Sequence, residues 1–207
     1  FIEKAVALAS TIHAGDPESA KYGPATMPSQ IKVIESHIKD AIRKGGTPVL
    51  GNAKSVQAPY VQPVILVDVP ENSTAVTDET FGPTLVINRV PDMDTAIALA
   101  NASRYGLGSS VWSRRQGRAI ASQLRCGMVA INSTISFAAV ASVPFGGVKD
   151  SGYGRIHGPE GILEFTYPRT VVRARFQLPI AFTSFSRTSG NDKLIIRLTK
   201  LLKGRLS

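Results

Sequence analysis

The sequence contains one cysteine and three histidines in 207 residues, and it has no long apolar run. A single cysteine excludes an internal disulfide bond. No stretch approaches the roughly 20 apolar residues that a membrane-spanning helix needs, and the first residues do not resemble a secretory signal. The scattered histidines, His13, His37 and His157, predict no metal site. We therefore predict a globular, cytoplasmic protein.

The chain is basic, with a formal net charge of +9. This excess is uneven, because the residues from Leu178 onwards include six basic side chains and one acidic side chain. The rest of the chain is only mildly basic. A charged tail on a nearly balanced body does not favour nucleic acid as a partner.

The first residues are already periodic in the way an amphipathic helix is, from Phe1 to about Ile12. Because the chain begins at Phe1, without methionine or a helix start signal, we expect a piece of a longer protein. A second helix is predicted to open at Pro28 and to stop at the pair Gly45-Gly46. Its apolar stripe consists of Ile31, Ile34, Ile38, Ala41 and Ile42.

The middle of the chain alternates short apolar strands with helices of about ten residues. Strands are predicted at 47–50, 64–67, 84–90, 108–113 and 127–132. Helices are predicted at 92–102, with Asp92 as the cap, and at 115–125. This alternation predicts the α/β class, with an open, mostly parallel sheet that carries helices on both faces. A glycine-rich connection is predicted from 133 to about 161, and loops of that length are commonly functional.

The end of the chain predicts two further elements. Residues 170–175 alternate charged and apolar side chains, which favours an exposed edge strand used in forming a homo-oligomer. From Asn191 a helix with one apolar and one basic face is predicted. Such a helix can lie on an anionic membrane surface, or it can dock on its own domain or a partner subunit, packed by Phe182 and Phe185.

Several short sequence blocks occur in one order along the chain. The first is the acidic turn, residues 78–83 (Asp-Glu-Thr-Phe-Gly-Pro), and the later one is the glycine-rich loop, residues 144–155 (Pro-Phe-Gly-Gly-Val-Lys-Asp-Ser-Gly-Tyr-Gly-Arg). The other blocks are Ala96 to Asn101, Tyr105-Gly106-Leu107, Gly127 to Asn132 and Glu164-Phe165-Thr166. From Phe1 to about Arg175 this series resembles the C-terminal part of the NAD(P)-dependent aldehyde dehydrogenase superfamily.

The resemblance implies an enzyme that oxidises an aldehyde to a carboxylic acid with NAD or NADP. In this family a cysteine thiolate attacks the carbonyl, a hydride passes to the nicotinamide, and water hydrolyses the thioester. The family's nucleophile, general-base glutamate, oxyanion-hole asparagine and dinucleotide fold align upstream of Phe1. The resemblance therefore implies no catalytic residue in this chain, no catalysis by the chain alone, and a cofactor bound mainly by the missing half.

The resemblance also implies a role for two residues of the acidic turn in cofactor binding. Glu79 is expected to accept hydrogen bonds from the hydroxyls of the nicotinamide ribose, a role suited to an acceptor-only group. Phe81 is expected to press on the nicotinamide side of the same pocket. The alternatives are a solvated acid for Glu79 and ordinary packing for Phe81.

The glycine-rich loop and the residues before it are expected to line the aldehyde tunnel. By resemblance Phe145 is one wall, and Phe137 is a second wall. Lys149 and Arg155 can attract an anion, but exposed basic residues of a loop are more often solvated. Cys126 precedes an apolar strand without a nearby base, and we interpret it as a small core residue.

The expected organisation is therefore a part of the catalytic domain at 1–160, an oligomerisation strand region at 161–177 and a basic amphipathic tail at 178–207. Two alternatives of another class are considered. The chain could be a non-enzymatic module that associates through its edge strand or its tail. It could also be a peripheral membrane binder.

Overall fold

The computed structural model describes residues 1–16, 18, 20–175, 185 and 188–203. The other residues lie outside this description, and among them is Phe182 of the predicted tail. The chain divides into two compact units, Phe1–Thr166 and Tyr167–Ser207.

The described part of the chain contains helices and short strands in a mixed order. In chain order they are α1 (Ile2–Ala9), α2 (Pro28–Arg43), β1 (Thr47–Leu50), β2 (Val56–Gln57), β3 (Tyr60–Val61), β4 (Val64–Val67), α3 (Thr74–Thr77), β5 (Thr84–Ile87), α4 (Met93–Ala102), β6 (Tyr105–Gly106), β7 (Gly108–Val111), α5 (Gly117–Ala121), β8 (Met128–Ile131), β9 (Val148–Lys149), α6 (Gly158–Leu163) and α7 (Ser189–Lys203). The predicted α/β class is confirmed.

The strands form small sheets within the first unit. A three-stranded sheet has the order β1-β4-β5, in which β4 and β5 are parallel and β1 is antiparallel to β4. A second sheet pairs β7 with β8 in parallel. The parallel pairing that the alternation predicts is thus found, divided between two sheets. Two antiparallel pairs of two-residue strands, β2-β3 and β6-β9, were not predicted.

The main core lies between α2 and the three-stranded sheet. Ile34, Ile38 and Ala41 of α2 pack in one cluster with Val64 and Leu66 of β4, and each is at most 1% exposed. All four residues of β4 are buried, as expected for a central strand. The predicted stripe of the second helix is therefore the face that meets the sheet.

Some predicted element ends differ from the observed ones. The strand predicted at 84–90 ends at Ile87, because the side-chain amide of Asn88 takes over the pairing. Its oxygen accepts a hydrogen bond from the Val69 amide (2.8 Å), and its nitrogen donates to the Val69 carbonyl (2.7 Å). The helix predicted at 115–125 is shorter, Gly117–Ala121, whereas Asp92 caps α4 as predicted, with its carboxylate 2.7 Å from the Thr95 amide.

Two segments of the C-terminal third were described in outline by the sequence. The glycine-rich connection at 133–161 contains the 3-10 turn Ser136–Ala139, β9 and the start of α6. Residues 170–175 form no strand with the described residues, and the oligomerisation strand predicted there stays a prediction. A strand forms only when its backbone groups pair with a neighbouring strand, and no described segment pairs with these residues.

The second unit contains one described helix, α7, which has 15 residues. Among the described residues no helix combines the length and the apolar character that crossing a membrane requires.

Candidate functional site

Helix α2 holds the acidic turn in place. The side-chain amide of Gln30 donates a hydrogen bond to the Thr80 carbonyl (2.6 Å), and Nδ1 of His37 lies 3.1 Å from the Thr80 hydroxyl. A Cβ atom added at Gly82 would lie 2.7 Å from Cδ1 of Ile34, which is closer than side chains tolerate. Only glycine lets the turn approach the helix this closely.

The same helix also fixes α3, the short helix that leads into the turn. The Asp40 carboxylate accepts hydrogen bonds from the Thr74 amide (2.9 Å) and the Ser73 hydroxyl (3.0 Å), and the Lys44 ammonium lies 3.0 Å away. The Thr74 amide, with the Lys44 ammonium and the Arg43 guanidinium, holds the pKa of Asp40 well below its usual range. The charged Asp40 carboxylate therefore stabilises the contact between α2 and α3, the helix that leads into the acidic turn.

The acidic turn has an unusual backbone conformation at Phe81, whose φ is +41°. A bulky residue in the left-handed region is strained, and such strain persists where surrounding contacts impose it. The contacts of α2 with Thr80 and Gly82, on either side of Phe81, are of this kind. The Phe81 ring is 76% exposed, so the turn presents it outwards instead of burying it.

The two acids of the turn have different surroundings. Asp78 faces the guanidinium of Arg104, with 3.7 Å between Oδ1 and Nη1. In the described part of the chain the Glu79 carboxylate has no hydrogen bond or ion pair. Glu79 is exposed and lines a cavity of about 310 Å³, which we call the Glu79 cavity. Its carboxylate oxygens can therefore accept hydrogen bonds from a bound molecule.

Arg104 joins the two sequence blocks. In addition to Asp78, it contacts Asp150 of the glycine-rich loop, and its Nε donates to the Asp150 carboxylate at 2.8 Å. The backbone continues this link, because β6 pairs with β9 and the Gly106 amide donates to the Ser151 hydroxyl (3.0 Å). The acidic turn and the glycine-rich loop are thus fixed to the same short segment after α4.

The two basic residues of the glycine-rich loop bind carbonyls of the chain itself. The Lys149 ammonium donates to the carbonyls of Asn101 and Ser103, each at 2.9 Å, where α4 ends. The Arg155 guanidinium donates to the carbonyl of Gly147 (2.8 Å). Both cations therefore stabilise the loop, and neither is simply solvated.

The two predicted tunnel aromatics lie side by side. The ring centroids of Phe137 and Phe145 are 6.3 Å apart and the rings are tilted by 53°, a favourable aromatic arrangement. Both rings line a second cavity of about 430 Å³, which we call the Phe137 cavity. Its described lining is Leu107, Gly108, Ser109, Ser110, Thr134, Ile135, Phe137, Ala138 and Phe145. No charged side chain is present in this described lining.

The Glu79 cavity and the Phe137 cavity have a common wall. Leu107, Gly108 and Ser109, at the start of β7, line both cavities. Glu79, Phe137 and Phe145 are thus brought close to one strand, β7. Glu79 lines one of the two adjacent cavities, and the two phenylalanines line the other. Phe81 is not part of the described lining of either cavity, although the sequence predicts it in the same pocket as Glu79.

Cys126 also lines the Glu79 cavity and is a free, half-buried thiol. Its sulfur donates a hydrogen bond to the Met128 carbonyl (3.1 Å). A carbonyl cannot take the proton that a thiol must lose to become a nucleophilic thiolate. This contact supports the interpretation of Cys126 as a structural residue.

Sequence reasoning did not single out Gln30, His37 or Arg104 as site residues. Their partners are 50, 43 and 46 residues away in the sequence, so no local pattern reveals the contacts. The described residues contain no cluster of three or more side chains suited to hold a metal ion.

Comparison with known proteins gives a consistent result. The model of the aldehyde dehydrogenase family matches residues 1–171. A succinate-semialdehyde dehydrogenase of Deinococcus radiodurans, named for NADP(+), is 42% identical over 176 residues, which cover 83% of this chain and 36% of that protein. A 4,4'-diapolycopene aldehyde oxidase of Methylomonas is 38% identical, over 82% of this chain and 32% of that protein.

Solved structures show the same similarity. The crystal structure of an aldehyde dehydrogenase of Mycobacterium tuberculosis with NAD+ has a TM-score of 0.74 and 31% identity, over 86% of this chain and 38% of that one. The chain therefore spans about a third of the length of these proteins, from 32% to 38%.

Proposed function

Since the chain belongs to the aldehyde dehydrogenase family, we propose that it is the C-terminal part of an enzyme that oxidises an aldehyde to a carboxylic acid with NAD or NADP. Relatives named for NADP(+) and a similar structure with NAD+ support both cofactors. The observation that carries the proposal is the difference between the two acids of the acidic turn. Asp78 is paired with Arg104, while the Glu79 carboxylate faces a cavity without a partner among the described residues.

Glu79 fits the cofactor by the chemistry of its carboxylate. Two vicinal ribose hydroxyls need acceptors, and a carboxylate without a competing cation supplies two. The nicotinamide, when bound, supplies the acceptor for the hydride. Glu79 orients the ribose. The contacts of Gln30 and His37 in α2 with Thr80 keep the turn in one conformation. Phe81 is exposed on the same turn and packs against the cofactor from that position.

Phe145 and Phe137 form one wall of the aldehyde site. Their apolar cavity excludes water from the side of the substrate that does not react. Because no cation is present in the described lining, we propose an aldehyde with an apolar tail. Succinate semialdehyde would bring a carboxylate at the far end of its tail, and burying that charge without a partner is unfavourable.

The chain alone is expected to be inactive. The covalent step needs a thiolate with a base beside it, and Cys126 instead binds a carbonyl. We also propose a homo-oligomer for the complete enzyme, in which residues 170–175 pair with a strand of a second subunit. No described segment of the chain pairs with these alternating residues, and a second subunit would supply partners for their backbone hydrogen bonds.

The test of the cofactor role is Glu79→Gln in the complete enzyme, with Glu3→Gln in α1 as the matched control. We expect Glu79→Gln to slow single-turnover NAD(P)H formation by about tenfold, the effect of losing a charge-assisted hydrogen bond of about 1.5 kcal/mol. Glu3→Gln should leave the rate unchanged. Equal rates for the two variants would refute the role of Glu79.

The substrate class is tested by comparing octanal with succinate semialdehyde. We expect a higher kcat/KM for octanal, and we expect Phe145→Ala to lower that value while leaving the value for succinate semialdehyde nearly unchanged. A preference for succinate semialdehyde would contradict the apolar assignment while leaving the enzyme class intact.

A further inference from the structure

Helix α7 separates its apolar and basic side chains onto opposite faces. At 100° per residue, Leu194, Leu198 and Leu201 fall on one side, together with Ile195 and Leu202. The opposite side carries four cations, and these are Lys193, Arg197, Lys200 and Lys203. Asp192 is the one acidic residue of the described helix.

The leucines of this apolar face are exposed, while Ile195 is half-buried. Leu198 is 49% exposed, Leu201 is 64% exposed and Leu202 is 67% exposed. Phe185, which the sequence predicts to pack against the helix, is fully exposed as well. A row of exposed leucines on one face of a helix marks an interaction surface, because single exposed apolar residues are common but an aligned set is not.

We propose that α7 binds an anionic lipid membrane surface, lying parallel to it with the leucine face in the interface. A membrane satisfies both faces, since its hydrocarbon takes up the leucines and its phosphates attract the cations. A second copy of the helix would cover only the leucines and would bring four more positive charges close by. The helix is about 22 Å long, so it can lie on a membrane as an anchor.

The helix contains its own matched control residue. Ile196 is as exposed as Leu198, 54% against 49%, but lies about 200° around the helix from it, among the cations. Replacing each by serine removes the same kind of side chain from the same helix. Only Leu198 lies on the face that is proposed to enter the membrane.

The experiment is co-sedimentation of the 207-residue chain with vesicles of phosphatidylcholine, with and without phosphatidylglycerol. We expect binding to the anionic vesicles only, weakened by salt. Leu198→Ser should reduce the binding about tenfold or more, and Ile196→Ser should change it little. Lys200→Gln should reduce it about fivefold, whereas Lys32→Gln in α2 should not.

Two results would overturn the proposal. One is equal binding of the Leu198→Ser and Ile196→Ser variants, which would mean that the leucine face does not enter the membrane. The other is a dimer in light scattering without lipid that Leu198→Ser converts to a monomer, which would assign the face to a second copy. The assay needs no catalysis, so its outcome is independent of the proposed enzymatic role.

Discussion

Gly127 offers a direct test of how the glycine-rich loop is fixed. A Cβ atom at this position would lie 1.8 Å from the Gly146 carbonyl oxygen and 2.8 Å from its carbon. Ordinary contact begins near 3.4 Å, so the two backbones would have to separate by about 1.6 Å. Gly127 is also held by its amide, which donates to the Gly106 carbonyl at 2.9 Å.

The loop side of this contact is equally constrained. Phe145 and Ile156 exchange two backbone hydrogen bonds, of 2.7 and 2.8 Å, so Gly146 cannot shift without disturbing them. Overpacking costs about 1–3 kcal/mol, and one lost hydrogen bond adds about 1 kcal/mol. We expect Gly127→Ala to lower the free energy of unfolding by about 2–4 kcal/mol and to displace the Phe145 ring from Phe137.

The measurement is urea unfolding of the chain followed by far-ultraviolet circular dichroism. With an m value of about 2 kcal/mol/M, the midpoint should fall by about 1–2 M. Gly23→Ala is the control, because a Cβ at Gly23 meets no atom within 4 Å. Its midpoint should change by no more than about 0.3 M. If both variants unfold at the same urea concentration, the loop is not fixed by this backbone contact.

Two further predictions concern the hydrogen bonds by which α2 fixes the acidic turn and the short helix α3 before it. Because the pKa of Asp40 is held below its ordinary value, its charge stabilises the fold above about pH 4, and this stability is lost as the pH falls towards the lowered pKa. Asp40→Asn should therefore lower the urea midpoint strongly at pH 7 and progressively less below pH 4, and a difference independent of pH would contradict this. Gln30→Ala should speed hydrogen exchange at Thr80–Gly82, because the bond to the Thr80 carbonyl is lost, while Ser29→Ala should not. Equal exchange in the two variants would show that Gln30 does not hold the turn.

The sequence predicts the parts of the fold that depend on local patterns. The stripe of α2 and the Asp92 cap of α4 follow from residue spacing alone, and both are observed. The end of β5 could not be predicted in this way, because it depends on Asn88 binding the backbone of Val69, 19 residues earlier. The strand at 170–175 stays a prediction, because the alternation of its residues does not identify the partner strand that it needs.

The same distinction applies to the candidate site. Glu79, Phe145 and Phe137 could be named because they belong to recognisable blocks or lie close to one. Gln30 and Arg104 could not, since each acts on a partner roughly 50 residues away. Nor does the sequence show that the blocks face two adjacent cavities, which follows from the position of β7 between them.

The wall formed by Leu107, Gly108 and Ser109 has a consequence for altering this protein. A Cβ at Gly108 would lie 2.8 Å from the tip of the Phe137 ring, and position 108 borders the Glu79 cavity too. A side chain at position 108 would therefore press on the Phe137 ring from the wall that the two cavities share. A substitution meant to change the Phe137 cavity is better directed to Ile135 or Ala138, which line that cavity and not the Glu79 cavity.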